Sequence, residues 1–182
     1  KENTSSELTQ EQFDLLCSYL PNYEKERQEL IENHGKENIP KFANIAKNYM
    51  EAMLNFDYRM DFETYYNRAL PYSSGTYNDK TWFKGLYDAL AEHKLIMEAK
   101  FITDEYFVYY KHGGPEVEGL LLFRIKSVEG DFKEDLFGKD DYELGKWYQI
   151  VYQVEVARGL KGANFYGGGF NTVGSVMSVE GD

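Results

Sequence analysis

The stretch PKFANIAKNYMEAMLNFDY, Pro40 to Tyr58, decides how the rest of the chain is arranged. Its apolar residues Phe42, Ile45, Ala46, Tyr49, Met50, Met53 and Leu54 recur at i, i+3, i+4, i+7, i+8, i+11 and i+12. That spacing lines one face of an α-helix. Lys41, Asn44, Lys47, Asn48, Glu51 and Asn55 occupy the opposite face. Pro40 suits a first helical position, where its missing N–H would lack an intrahelical partner anyway. A helix this two-sided must lie on something, and only the strand-rich second half of the chain offers enough surface.

Size and charge narrow what can follow. One domain is expected for 182 residues, and a chain of this length buries roughly 70% of its unfolded surface, enough for a core without staples. Sixteen Tyr and twelve Phe point to strands and amphipathic surfaces rather than a helical bundle. The formal charge of −11 repels phosphate backbones, so no nucleic-acid partner is expected. It also opposes charge-driven docking on anionic lipid. No run of about 18 apolar residues occurs, so no segment is expected to span a bilayer.

The polar opening KENTSSE has two readings: a cytoplasmic protein with a loose end, or an exported one whose signal or lipid anchor lies upstream of Lys1. Cys17 is the single cysteine, which leaves no intrachain disulfide and no cysteine cluster for zinc. It completes a stripe with Phe13, Leu16 and Leu20, and reads as a small buried hydrophobe.

Working outward, Thr9 and Gln12 fit a capping box that starts a first helix, which Pro21 ends or kinks. A second helix is expected from Asn22 to Asn33, stopped by Gly35. These first 36 residues read as a hairpin packed on the domain or as a spacer, with an α+β domain over 37–182. Asp61 to Leu70 reads as a short helix closed by Pro71. Asp79 caps a further helix whose apolar face holds Trp82, Phe83, Leu86, Tyr87 and Leu90. From Leu95 the period becomes two, with strands at Ile96–Phe101, Glu105–Lys111, Val117–Val128 and Trp147–Arg158, and a last one within Thr172–Val179. His112-Gly113-Gly114-Pro115 reads as a turn. Helices first and strands second indicate an α+β fold, N-terminal helices packed on a curved antiparallel sheet of about four to five strands.

Several stretches invite a chemical reading. His34, His93 and His112 share no ligand spacing, so no metal or cofactor is expected from them. The acidic loop 129–145 fails the EF-hand pattern: from Asp131, position 3 is Lys133 and Gly138 arrives too late. Gly167-Gly168-Gly169 lacks the Lys-Ser/Thr of a phosphate loop, and no Gly-x-Ser-x-Gly elbow occurs. The aromatic strands remain. Tyr109, Tyr152 and Trp147 supply stiff rings with polar handles for a groove or pocket.

The helices AKNYMEAMLNFDY, DFETYYNRAL and DKTWFKGLYDAL, followed by strands through WYQIVYQVEVARG, resemble the cystatin-like cone of the nuclear-transport-factor-2-like superfamily over roughly Glu37 to Val179. Within it, the helix-rich start and the lack of enzyme motifs are similar to periplasmic domains of conjugation and type IV secretion channels, and to exported lipoproteins of low-GC bacteria. Fifteen Lys against five Arg suit such a genome. The resemblance implies a non-catalytic extracytoplasmic binding or assembly module of a bacterial envelope, contacting a protein partner. The alternative is a small-molecule-binding protein or enzyme using a pocket between long helix and sheet. In that case the inward acid–base group would be Asp57 or His93, and the ligand would be unidentified.

Overall fold

A computed structural model describes residues 9–18, 20–72, 80–101, 107–130 and 142–157, and the backbone of 164–166 and 177–178. Five helices precede the main strands. They are α1 (Gln10–Ser18), α2 (Tyr23–His34), α3 (Ile39–Leu54), α4 (Phe62–Ala69) and α5 (Lys80–Glu92). The strands are β1 (Phe56–Asp57), β2 (Ile96–Phe101), β3 (Phe107–Lys111), β4 (Gly114–Ser127), β5 (Tyr148–Ala157), β6 (Asn164–Tyr166) and β7 (Met177–Ser178).

All pairings are antiparallel, in the order β1-β2-β4-β5-β6, with β3 also on β4 and β7 also on β5. The 14-residue β4 is the spine. One edge pairs with β5 over Glu116–Phe123. The other edge is divided, β3 holding Gly114–Glu118 and β2 holding Leu121–Ser127. The result is α+β, helices on a curved sheet, as the order of elements implies.

The predicted helix over Pro40–Tyr58 forms as α3 and buries Ile45, Ala46, Tyr49, Met50, Met53 and Leu54. It begins one residue earlier than Pro40, which therefore sits within its first turn. Its apolar stripe meets the inward residues Val117, Leu121, Phe123 and Ile125 of β4, and Ile150, Tyr152, Val154 and Val156 of β5. Each such side chain removed from water is worth about 1.5–3 kcal/mol.

The C-terminal carbonyls of α3, which have no intrahelical donors, are satisfied by α4. The Tyr65 hydroxyl donates to Met53 O at 3.1 Å. Arg68 donates to Ala52 O at 2.6 Å and also to Asn55 O. The α4 helix is itself started by Asp61, whose carboxylate accepts from Thr64 N at 2.7 Å.

Thr9 and Gln12 form the expected capping box: Gln12 N donates to Thr9 Oγ1 at 3.1 Å, and Thr9 N donates to Gln12 Oε1 at 3.0 Å. The residues 9–36 that are described pack on the domain. Leu16 and Leu20 lie with Phe107, Tyr109, Leu120 and Val151 on the sheet face turned away from α3, and Tyr23 joins them. Leu30 enters the main core.

Three local expectations change. Trp82 is 37% exposed, because successive helical residues turn by about 100° and it flanks the stripe that buries Phe83 and Leu90. Phe13 is also exposed, though its ring packs on Phe107 at 5.6 Å, and Cys17 is half-buried. Asp79, the loop 131–141, Gly167–Gly169 and most of 172–179 lie outside the described residues.

Candidate functional site

The β3–β4 link is tighter than a four-residue turn. Lys111 pairs with Gly114, so only His112 and Gly113 are unpaired. Both have positive φ, 53° and 83°. Two-residue hairpin loops favour this, since their twist then matches that of the strands. A side chain tolerates positive φ poorly, yet here it is His112 rather than a second glycine.

Register then sets up rows across three strands. Tyr109, Glu116 and Glu155 are direct neighbours on β3, β4 and β5, and Phe107, Glu118 and Gln153 form the next row. These side chains alternate with Val108, Val117 and Val154, which face α3. The carboxylates therefore lie on the outer face. His112 stands over the first row, its Nδ1 3.2 Å from Glu116 Oε1 and 3.9 Å from Glu155 Oε1.

Burial makes this row electrostatically costly. Glu116 is 2% exposed and Glu118 fully buried. Glu116 Oε2 and both Glu118 oxygens have no hydrogen-bond partner among the described residues. Burial pushes the Glu118 carboxyl up to about 8, helped by the Glu116 charge and opposed by Lys111. Glu116 is raised for the same first reason, with His112 and Tyr109 pulling it back and Glu155 adding to the rise. The Tyr109 hydroxyl is pushed well above its ordinary range, chiefly by burial and then by Glu116, and it accepts from Gln153 Nε2. The Cys17 thiol is raised by desolvation, then by Asp14 and Glu118. Among the described residues, His112, Glu116 and Glu155 each offer a ligand atom, all within 4.8 Å of one another.

The five residues singled out from sequence are not brought together. Tyr109 belongs to the carboxylate row. Tyr152 lies on the opposite, α3-facing side with its ring over Gly119. Trp147 sits toward the other end of β5, stacked by Lys100 Nζ at 4.5 Å and the Arg124 guanidinium at 4.4 Å from its ring centroid. Arg124 is held by Glu98 through bonds of 2.9–3.1 Å. Asp57, on β1, is bound by Arg59, whose hydrogen bonds hold its carboxyl down to about 2. His93, at the end of α5, has Nδ1 2.9 Å from Glu129 O. Sequence reasoning passed over Glu116, Glu118 and Glu155, and placed His112 in a turn with no ligand spacing to the other histidines.

Met50 and Met53 of α3, Tyr65 of α4 and Tyr152 of β5 belong to the main core, none more than 1% exposed. Among the described residues, a hollow of about 300 Å³ lies at the C-terminal end of α3, lined by Asn48, Glu51, Ala52, Asn55, Arg68 and Tyr72. No protein-family model, no curated protein and no solved structure matches this chain.

Proposed function

We propose that the chain is a non-catalytic binding or assembly module of a bacterial cell envelope, working outside the cytoplasm and taking a protein partner on the outer face of its sheet. The observation that carries this reading is the platform around Trp147. The α1 helix covers Leu120 and Val151 and reaches Gln149, to whose side-chain oxygen Gln12 Nε2 donates at 3.0 Å. Beyond that point the face presents exposed Lys100 and Lys126 and half-buried Arg124, two of them stacked on a buried indole. Glu98 pairs with Arg124 at 2.9 Å and lies 3.8 Å from Lys126, which leaves a local excess of cations on a chain of net charge −11. Fixed cations over an aromatic ring suit an acidic or carbonyl-rich protein segment, which gains charge-assisted hydrogen bonds there.

Binding rather than catalysis is proposed because the chain lacks the spacings of the common nucleophile, phosphate-loop and calcium-loop motifs. The envelope location, with a lipid anchor upstream of Lys1, rests on the resemblance to the nuclear-transport-factor-2-like superfamily.

Capture from bacterial envelope extract tests the reading, with the unmodified chain compared against the double variant Lys100→Glu, Lys126→Glu. The expected result is a partner retained by the first and lost by the second, with both variants equally folded by circular dichroism. Equal retention by the two, or retention of nothing by either, overturns it.

A further inference from the structure

Among the described residues, the corner where β3 turns into β4 holds more buried carboxylate than its neighbours satisfy. Glu116 is 2% exposed, with His112 Nδ1 and the Tyr109 hydroxyl beside it, yet its Oε2 has no hydrogen-bond partner among the described residues. Glu155 lies beside it in register, and Glu118 follows on the same face with both oxygens unmatched. Unpaired buried carboxylate is costly, and proteins that keep it pair it or coordinate a metal. The cation that acts on Glu118, Lys111, is half-exposed on the neighbouring strand.

We infer that His112 Nδ1, Glu116 and Glu155 form a binding site for a first-row divalent cation of the zinc type. Ligand atoms about 2.0–2.2 Å from a tetrahedral zinc stand roughly 3.3–3.6 Å from one another. The His112 Nδ1 distances of 3.2 Å to Glu116 and 3.9 Å to Glu155 bracket that range, and with all three ligand atoms within 4.8 Å of one another the exposed His112 and Glu155 side chains close the rest by adjustment. One imidazole with two carboxylates suits zinc. Calcium takes six to eight oxygen ligands, and magnesium keeps an octahedral, mostly aqueous shell. The His112 and Glu155 side chains are 70% and 39% exposed, so the ion enters from solvent and keeps a position for water. Tyr109, its hydroxyl fixed by Gln153, stands beside Glu116 and orients it as an outer-shell partner does. The positive φ of His112 has a role here, since it holds the ring over the carboxylate row.

The site is independent of the Trp147 platform, and its test does not require a protein partner. Calorimetric titration of the chelator-treated full chain with zinc chloride should give one equivalent bound per chain, with protons released in proportion to buffer ionisation. His112→Ala and Glu155→Gln alter exposed side chains and keep the fold, and each should weaken binding by about tenfold or more. His93→Ala should leave it unchanged. Cobalt(II) in place of zinc supplies a second readout, its visible absorption changing on loss of either ligand. The absence of saturable binding in the parent chain, or equal affinity in parent, His112→Ala and Glu155→Gln, overturns the assignment.

Discussion

Replacing Gly119 with alanine tests the packing of the whole sheet against α3. Gly119 is central in β4, directly opposite Tyr152 of β5. An alanine Cβ there would meet Tyr152 Oη at 2.7 Å, Cζ at 2.8 Å and Cε1 at 2.9 Å. Favourable contact between such atoms starts near 3.5 Å, so the overlap is roughly 0.6–0.8 Å at three atoms at once. The ring has little room to retreat: Tyr152 is fully buried and meets Phe101 edge-on at 5.8 Å. Overpacking of this kind costs about 1–3 kcal/mol. Losing glycine's freedom in the unfolded chain returns about 0.4–1 kcal/mol. The net expectation is a loss of roughly 1–2 kcal/mol, a fall in Tm of about 2–8 °C for a domain this size. Urea denaturation gives the value directly if the slope is unchanged. The same substitution placed on Tyr152→Leu should cost nothing or stabilise, because the obstructing ring is gone. A Gly119→Ala penalty below about 0.3 kcal/mol, or one equal in both backgrounds, would show that the ring over Gly119 is not why glycine is needed there.

Two further outcomes follow from polar groups. Arg68→Met removes the donor to Ala52 O and Asn55 O and should destabilise by about 1–3 kcal/mol. Hydrogen exchange should quicken in the last turn of α3; unchanged protection there would refute the capping role. Glu118 titrates near 8 when folded against 4.5 in its ordinary state, so its contribution is full below pH 4.5 and lost as pH rises toward 8. In chelator-treated protein, the stability of the parent relative to Glu118→Gln should fall by roughly 3–5 kcal/mol across that window. Denaturation curves that stay parallel from pH 5 to 9 would contradict this.

Much of the architecture is legible because it is written in local periodicity. The α3 stripe, the Thr9–Gln12 box and the alternation of Tyr148, Ile150, Tyr152, Val154 and Val156 each depend on neighbours a few positions away. The His112–Glu116–Glu155 row depends on something else. Glu155 is 39 positions from Glu116, and they meet only because β4 and β5 adopt one register out of several the pattern allows. A signal was present in the His112-Gly113 pair. Taken as a two-residue loop, it fixes Lys111 opposite Gly114, and therefore Tyr109 opposite Glu116. A four-residue turn through Pro115 conceals that pairing. The stacking of Lys100 and Arg124 on Trp147 was equally hidden, since three strands converge there from separate parts of the chain.

The divided edge of β4 behaves like a seam closed by two separate fasteners. Five residue pairs tie β3 to the segment beside His112, while β2, bearing Met97 and Ala99 under the long helix, is sewn to the other half. The first fastener borders whatever His112 grips, and the second does not. Val108 and Val117 within the first fastener also line the hydrophobic interior, so the two halves of this single strand share one core while taking different partners along their edge.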